Sequence, residues 1–452
     1  MEEEIKYIDT LTELLNSKQY TLLRQTLADM NIVDIAYVMD EMENEDSLKM
    51  FRILPKDMAA DVFANLELDD QQYIIQKMSD REASNIIDNL MADDATDLME
   101  EMPANVVKRI LTNTTPETRA AINHLLKYPE DSAGSIMTVE YIRLTEDMTV
   151  NSAIEHIRKR GLDSETINIC YVTDPKRVLV GTVALRYLLI LNPDERIGDI
   201  MNDNVISINT MMDQEETAKM FQKYDFTAMP VVDNENRMVG IITIDDVVDI
   251  LEEEATEDIE KMAAILPTDK PYFKVGIFET YKTRMPWLLL LMISATFTGA
   301  IITKFEDALS AYVVLTAYIP MLMDTGGNAG GQASVSIIRG LSLGEIEFGD
   351  FFKAIWKEVR VAFLCGLTLA GANFIKLLLL DRIAIPVAAV VCITLVIVVS
   401  CAKLIGCMLP MLADRIGFDP AVMASPMITT IVDAISLMVY FTLATHLLHL
   451  AI

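Results

Sequence analysis

Asp433 is an acidic residue in a long apolar stretch of the sequence. No charged side chain occurs in the thirteen residues before it, 420–432, or in the nineteen after it. A carboxylate at the centre of a membrane costs about 3 kcal/mol or more, so it is seldom kept without a polar or cationic partner. The stretch offers no Lys or Arg to pair with Asp433. A passing cation is the simplest partner, and the alternative is a protonated or internally hydrogen-bonded Asp.

A Gly-rich segment marks a second apolar stretch. Residues 320–332 read PMLMDTGGNAGGQ and contain Asp324, Asn328 and Gln332. Irregular backbone at membrane depth is tolerated only where protein or a water-filled cavity satisfies its polar groups. The segment therefore predicts a broken helix beside a water-filled path. The alternative is close packing of small residues against another helix.

Five segments predict membrane crossings, because about 20 apolar residues are needed to span the hydrocarbon core as a helix. Residues 285–303 and 383–402 contain no Asp, Glu, Lys or Arg, whereas 308–338, 361–380 and 420–452 are interrupted by single charges or by the glycines. The distribution of Lys and Arg, together with an acidic N-terminus without a signal-peptide core, predicts a cytoplasmic N-terminus. An odd number of spans then leaves the C-terminus outside.

The charge is divided unevenly along the chain. Residues 272–452 contain 12 basic and 12 acidic side chains, so the whole net charge of −30 belongs to residues 1–271. A membrane protein with so many carboxylates in one part is expected to handle cations or to be regulated by them, and it does not favour nucleic acid as a partner. The five cysteines are isolated, which indicates packing residues rather than disulfides or a metal cluster.

The acidic part divides into two patterns. Residues 1–130 predict an α-helical solenoid of short amphipathic helices, with start signals at Pro55, Asp69, Ser79, Asp93 and Pro103. Residues 131–251 alternate helical patterns with β-rich runs at 167–172, 178–183, 229–232 and 238–243. A long amphipathic helix over 248–266, with one apolar stripe and many acids, then leads to the first span. A solvated linker helix would show the same stripe.

The β-rich part contains an internal repeat. Gly181 follows Asp174 by seven residues, as Gly240 follows Asp233, and residues 136–137 match 200–201. Two such copies resemble a pair of cystathionine-β-synthase (CBS) motifs. The resemblance implies an adenine-nucleotide half-site at Gly240, Thr243 and Asp246, with ATP as a candidate ligand. The first copy departs from that pattern, and the alternative is that Thr243 caps a helix through Asp246.

Over nearly its whole length the chain resembles the MgtE family of magnesium channels and transporters, with the 320–332 segment and the Asp433 span as the most specific motifs. The resemblance implies a multidomain membrane protein: a helical N-domain (1–130), an α/β CBS pair (131–251), a connecting plug helix (252–271) and a five-span all-α transmembrane domain (272–452). It also implies a homodimer in the cytoplasmic membrane, with Mg²⁺ as transported ion and as regulator.

The same resemblance implies two sets of site residues. Asp433 is expected to face the ion in a pore formed by the second and fifth spans of both subunits, with further lining candidates Asp324, Asn328, Gln332, Ala424, Thr429 and Thr430. Ions bound between the N-domain, the CBS pair and the plug helix are expected to hold the pore shut. The regulatory carboxylates carried over by position are Asp93, Asp97, Asp225, Asp246, Asp249, Glu254, Glu257, Asp258 and Asp419.

Other functions stay open on the residues alone. A broader transporter of divalent cations such as Co²⁺ or Mn²⁺ is one alternative, since Ala424 and Ala434 stand where the family often has Asn and Gly. A membrane-anchored ion or nucleotide sensor that moves no ion is another. A chloride channel would not place an acid in its pore. An enzyme is disfavoured because the four histidines form no ligand motif and no phosphate-binding loop occurs.

Overall fold

The computed structural model describes residues 2–56, 58–268, 270, 272–306, 310 and 312–449, apart from the side chains of 2–6 and 425. Within these residues the chain divides into two compact units, residues 1–251 and residues 252–452.

The first unit begins with a series of short α-helices. Their bounds are α1 Glu2–Asn16, α2 Tyr20–Ala28, α3 Ile32–Asp40, α4 Asn44–Phe51, α5 Ala59–Ala64, α6 Leu68–Lys77, α7 Asp80–Ile87, α8 Ala92–Glu100, α9 Ala104–Asn113 and α10 Pro116–Leu125. Each predicted start lies within four residues of an observed one. Ser79 forms a complete capping box with Glu82 at the start of α7, as its sequence signature predicts. Leu, Ile and Met side chains of successive helices form one continuous core, which confirms the helical solenoid.

Two three-stranded sheets with the same topology follow. The first has β1 Tyr141–Leu144 parallel to β2 Thr166–Thr173, which is antiparallel to β3 Leu179–Ala184. The second has β4 Ile208–Asn209, β5 Ala228–Val232 and β6 Met238–Thr243 in the same order and directions. The helices beside them are α11 Val150–Arg160, α12 Leu185–Ile190, α13 Ile197–Ile200 and α14 Gln214–Tyr224. The predicted β-rich runs match β2, β3, β5 and β6, which confirms the CBS pair.

Each repeat packs its leading segment on the sheet of the other repeat. Met137 covers Gly240 of the second sheet, and a Cβ added to Gly240 would lie 2.8 Å from the Met137 Sδ. Met201 covers Gly181 of the first sheet in the same way. A side chain at either glycine would block this close approach, so the shared position of the two glycines follows from packing between the repeats.

The connecting helix, α15, runs over Ile244–Met262. It begins and ends about four residues earlier than the sequence predicts. At its start the Asp246 carboxylate accepts hydrogen bonds from the Thr243 backbone amide (3.4 Å), which caps the helix directly at the end of β6, and from the Thr243 hydroxyl (2.8 Å). At its end Ala264 takes a left-handed backbone conformation with φ of 56°, which stops the helix.

The second unit contains five long helices in its described residues: α16 Ile277–Lys304, α17 Ile319–Ser342, α18 Phe351–Leu379, α19 Ile385–Arg415 and α20 Ser425–Leu447. A helix rises 1.5 Å per residue, so each is longer than the roughly 30 Å hydrocarbon core of a membrane. Among the described residues, four are apolar enough over 18 residues to be spans by composition alone; α17, with its glycines and polar side chains, is not one of these four. Their shared core is centred on α19 and α20.

The predicted helix break at residues 320–332 is wrong. These residues belong to α17, which is continuous from Ile319 to Ser342. The glycines lie where neighbouring helices approach: a Cβ on Gly326 would be 2.7 Å from Val398 of α19, and one on Gly330 would be 2.7 Å from Ile428 of α20. The alternative, close packing of small residues, is therefore the observed structure.

Candidate cation-binding sites

Asp433 lies near the middle of α20, in the membrane unit. Its Oδ1 atom is buried and has no hydrogen-bond partner among the described residues. The Asp324 carboxylate of α17 is close enough to act on it electrostatically. Two like charges with an unsatisfied oxygen in an apolar bundle are unfavourable unless a cation or ordered water joins them. The arrangement can therefore attract a cation.

The polar side chains of α17 form a stripe that faces away from the other helices of the unit. Asp324, Asn328 and Gln332 are spaced four residues apart, so they share one face of the helix, and all three are exposed. The opposite face holds Gly326 and Gly330 against α19 and α20. Lipid does not satisfy such a polar stripe, so this face requires water or a second protein surface.

The other predicted pore residues differ in their surroundings. Thr429 lies one turn before Asp433 and packs against Gly327, where a Cβ would come within 3.2 Å of the threonine hydroxyl. The Thr430 hydroxyl donates a hydrogen bond to the Pro426 carbonyl at 3.1 Å. Ala424 is buried, and its carbonyl already accepts a hydrogen bond from the Ile428 amide.

A second acidic site lies within the first unit, between α8 and the start of α15. Asp93 is almost fully buried and its Oδ1 has no hydrogen-bond partner among the described residues. Asp246 and Glu165 are close enough to repel it. The Glu140 carboxylate lies beside them and accepts hydrogen bonds from the Thr138 hydroxyl (2.6 Å) and the Ala92 amide (3.4 Å). We call Asp93, Asp94, Glu140, Glu165, Asp245 and Asp246 the acidic cluster.

Burial and mutual repulsion raise the pKa values of four members of this cluster. Burial, then repulsion from Asp246, holds the pKa of Asp93 well above its usual range. Burial, then its acidic neighbours, raises the pKa of Asp94 to about 6 and that of Glu165 to about 7. Burial also raises the pKa of Asp246 to about 6, against the lowering effect of its bond from Thr243. A bound cation would relieve every one of these costs.

The remaining regulatory candidates of the first unit lie around this cluster or away from it. Asp249 is one turn after Asp245 and contributes to the repulsion on Asp246. Asp97 is exposed on α8. Asp225 is exposed directly after the last residue of α14, in a left-handed backbone conformation. No three His, Cys, Asp or Glu side chains in the described ranges converge as ligands for a bare metal ion. Mg²⁺ keeps much of its water, so carboxylates that hold it through water fit the cluster better.

In the second unit a lysine occupies the place between two predicted regulatory acids. The Lys261 ammonium lies 2.5 Å from Glu257 and 2.7 Å from Asp419, which precedes α20. Beside it, the Ser342 hydroxyl at the end of α17 donates to Asp258 at 3.2 Å. Glu254 is half-buried on the same helix. Polar contacts therefore join the end of α15 to the C-terminal end of α17, which carries Asp324, and to the residues before α20, which carries Asp433.

The predicted nucleotide half-site has the geometry of a helix cap. Thr243 and Asp246 bond to each other, and Gly240 is covered by Met137. The cap is therefore observed; it does not exclude a nucleotide, so the half-site stays a prediction.

Several residues of these sites were not predicted. Asp94, Glu140, Glu165 and Asp245 complete the acidic cluster, and Lys261 joins Glu257 to Asp419. Asp94 and Asp245 adjoin predicted acids in sequence, which is a local signal that was missed. Glu140 and Glu165 lie in loops far from Asp93 in sequence, and no local pattern indicates their approach.

Three family models match separate parts of the chain. A divalent cation transporter model matches residues 319–443, an MgtE intracellular N domain model matches 30–131, and a CBS domain model matches 197–253. The CBS match covers the second of the two repeats.

Characterised proteins are similar over nearly the full length. The chain is 36% identical to the magnesium transporter MgtE of Thermus thermophilus, covering 99% of both chains, and 31% identical to that of Bacillus subtilis, covering 96% of both. The cytosolic domain of the Mg²⁺ channel MgtE solved with ATP is similar with a TM-score of 0.52 and 36% identity, covering 54% of this chain and 99% of that one. The soluble part of a magnesium transporter is similar with the same TM-score and 29% identity, covering 56% and 99%.

Proposed function

The chain belongs to the MgtE family of magnesium transporters and carries Mg²⁺ across a membrane, and we propose that Asp433 binds the ion in the pore while the acidic cluster closes the pore when Mg²⁺ is abundant. The observation that supports this most strongly is the buried Asp433 oxygen, which lacks a partner in the described part of the chain.

The pore is formed by two copies of the chain. The exposed polar stripe of α17 needs water on its outer side, and a two-fold partner would enclose that water between two such stripes. Asp433 and Asp324 of each copy would then give the path four carboxylates. Because Mg²⁺ releases water reluctantly, carboxylates and amides spaced for the hydrated ion select it by size and hydration.

The acidic cluster is the cytoplasmic sensor. Without Mg²⁺ its carboxylates repel one another across α8 and the start of α15; with Mg²⁺ they are joined, and the packing of the N-domain on the CBS pair is favoured. α15 continues from this cluster to the Lys261–Asp419 contact beside α20. Ordering of one helix thereby connects the sensor to the helices of the pore.

Orientation and a nucleotide complete the proposal. The first unit lies in the cytoplasm, so five spans put the end of α20 outside, and the negative-inside potential drives Mg²⁺ inward. ATP binds at the CBS pair, as in the similar cytosolic domain solved with ATP, and changes the sensor's affinity for Mg²⁺. Binding of a fluorescent ATP analogue, competed by ATP, tests this step.

Mg²⁺ uptake into proteoliposomes loaded with a magnesium-sensitive dye tests the pore. The native chain is expected to admit Mg²⁺, Asp433→Asn to lose uptake, and Asp350→Asn, a surface carboxylate beside Lys353, to retain it. Competition by Co²⁺, Mn²⁺ and Ca²⁺ measures selectivity: equal competition by all three would favour a broader divalent cation transporter. No uptake by the native chain at low internal Mg²⁺ would favour a sensor that moves no ion.

A further inference from the structure

Glu358 of α18 and Lys403 of α19 form an ion pair inside the membrane unit. The Lys403 Nζ lies 3.8 Å from the Glu358 Oε2, and the two side chains are only 6% and 13% exposed. The Glu358 Oε2 is buried and has no hydrogen-bond partner among the described residues. Glu358 and Lys403 lie on neither α17 nor α20, the helices that carry the proposed pore acids, so binding of the ion in the pore does not by itself account for them.

Stability does not explain the pair either. Removing two charges from water costs several kcal/mol for each ion, and their attraction rarely exceeds that cost. Two apolar side chains of similar volume would usually serve the fold equally well. Ionisable groups kept within a membrane bundle are by default functional.

The position of the pair on α19 indicates what it does. Ala402 and Gly406, on either side of Lys403, form the surface on which α17 rests: a Cβ on Gly330 would lie 3.1 Å from the Ala402 carbonyl oxygen, and Gly406 contacts the Gly330 carbonyl. α19 thus lies between α18, which holds the charge partner, and α17, which carries the polar stripe. A small movement of α19 would change its contact with Gly330 of α17, because the two backbones touch without a side chain between them that could adjust.

We propose that Glu358 and Lys403 are positioning residues for ion conduction. Their pairing fixes α19 on α18, and α19 in turn fixes the Asp324–Gln332 face of α17 at the spacing that the hydrated ion needs. The pair also has no net charge, so that Lys403 does not place an uncompensated positive charge near the path of a cation. This inference rests on the proposed pore.

The paired charges predict a specific pattern among variants. Glu358→Gln leaves Lys403 as an unpaired buried cation, and Lys403→Met leaves Glu358 as an unpaired buried anion; both disturb α19. The double variant Glu358→Gln/Lys403→Met leaves no charge. We expect each single variant to lose at least tenfold in Mg²⁺ flux per folded protein, and the double variant to recover to within threefold of native.

The charge of the unpaired residue should also change the apparent affinity for Mg²⁺, which a loss of folded protein alone would not do. The Mg²⁺ concentration for half-maximal flux should rise in Glu358→Gln, because the uncovered ammonium repels the ion, and should fall in Lys403→Met. A purely structural role would lower the yield of folded protein but leave flux per folded molecule and this concentration unchanged.

The experiment measures Mg²⁺ flux in proteoliposomes that contain equal amounts of monodisperse full-length protein. Lys376→Met is the matched control, because it breaks an exposed ion pair with Asp381 (2.9 Å) at the other end of α18, and it should match native flux. Native-like flux in both single variants, or a double variant as impaired as the singles, would overturn the proposal. If a single variant does not fold, the reversed pair Glu358→Lys/Lys403→Glu provides the test. Flux equal to or above that of Glu358→Gln/Lys403→Met supports the proposal, and flux below that level overturns it. Absence of flux in the native chain would instead reject the proposed pore.

Discussion

Asp246→Asn tests whether the acidic cluster stores repulsion that Mg²⁺ relieves. In the folded protein the pKa of Asp246 is about 6 against an ordinary value of 3.8. A difference of about two pKa units corresponds to about 3 kcal/mol against the ionised form at neutral pH. Asn removes the charge, and its side-chain oxygen can still accept the hydrogen bond from Thr243. We therefore expect the variant to stabilise the Mg²⁺-free first unit by about 1–3 kcal/mol.

Hydrogen exchange of the full-length protein at constant pH measures this effect locally. In EDTA, peptides from α8 and β6 should exchange about 5-fold to 100-fold more slowly in Asp246→Asn than in the native chain, since about 1.4 kcal/mol is a factor of ten. Mg²⁺ at tenfold its dissociation constant should protect the native peptides by a further factor of about ten. The variant should gain less than threefold, because a ligand for the ion has been removed.

Asp199→Asn is the control, since Asp199 is exposed in the same unit, outside the acidic cluster. It should leave both measurements as in the native chain. Equal protection of native and Asp246→Asn chains in EDTA would refute the repulsion argument. Equal gain from Mg²⁺ in both would show that Asp246 does not hold the ion.

Three further predictions follow from single contacts. The pKa values of Glu165 and Asp246 are higher in the folded Mg²⁺-free unit than in the unfolded chain, so their protonated forms stabilise the fold below about pH 4, and this stabilisation is lost as pH rises to about 7. Mg²⁺ binding to the acidic cluster near neutral pH should therefore release protons. Calorimetry in buffers of different ionisation enthalpy measures this release. Gly330→Ala should lower stability by about 1–3 kcal/mol and reduce Mg²⁺ flux, because the Cβ meets α19 and α20, whereas Gly371→Ala, with open space around it, should change neither in a thermal unfolding and flux assay. Lys261→Met should leave the Glu257 and Asp419 carboxylates to repel each other, because Lys261 pairs with both in the native protein. Flux measurements should then show that more Mg²⁺ is needed to close the pore, and closure at the native concentration would contradict this role.

Local patterns in the sequence predicted most elements of the fold. Apolar runs of sufficient length correspond to α16 and α18–α20, and alternating β-branched runs correspond to β2, β3, β5 and β6. These signals succeed because hydrophobic periodicity and capping act within a few residues. The Ser79 capping box is predicted and observed for this reason.

The Gly-rich segment was misread because glycine has two opposite effects. Locally each glycine weakens a helix by about 1 kcal/mol, so a cluster predicts a break. In the structure, Gly326 and Gly330 allow α17 to approach α19 and α20, and the packing outweighs the local cost. Only the neighbouring helices reveal which effect is larger.

Contacts between distant residues were the other part that the sequence could not supply. Asp433 is recognisable from sequence because it is the one acid in an apolar span. The contacts of Glu165, Lys261 and the Glu358–Lys403 pair involve partners far along the chain, which the sequence does not indicate. Glu165 and Lys261 lie among other polar or charged residues, as surface charges do. Lys403 directly follows the charge-free run 383–402, but that run does not indicate Glu358 as its partner.

Mg²⁺ current through the full-length protein, recorded while Mg²⁺ on the cytoplasmic side is raised through the millimolar range, tests the central claim most directly. The native chain should conduct at low Mg²⁺ and close as it rises. Asp433→Asn should not conduct at any concentration. Asp93→Asn/Asp246→Asn lacks the repulsion that keeps the Mg²⁺-free cluster apart, so it should conduct less than the native chain at low Mg²⁺, with a current that no longer depends on cytoplasmic Mg²⁺. Undiminished current in Asp433→Asn, or native closure in the double variant, would contradict the account.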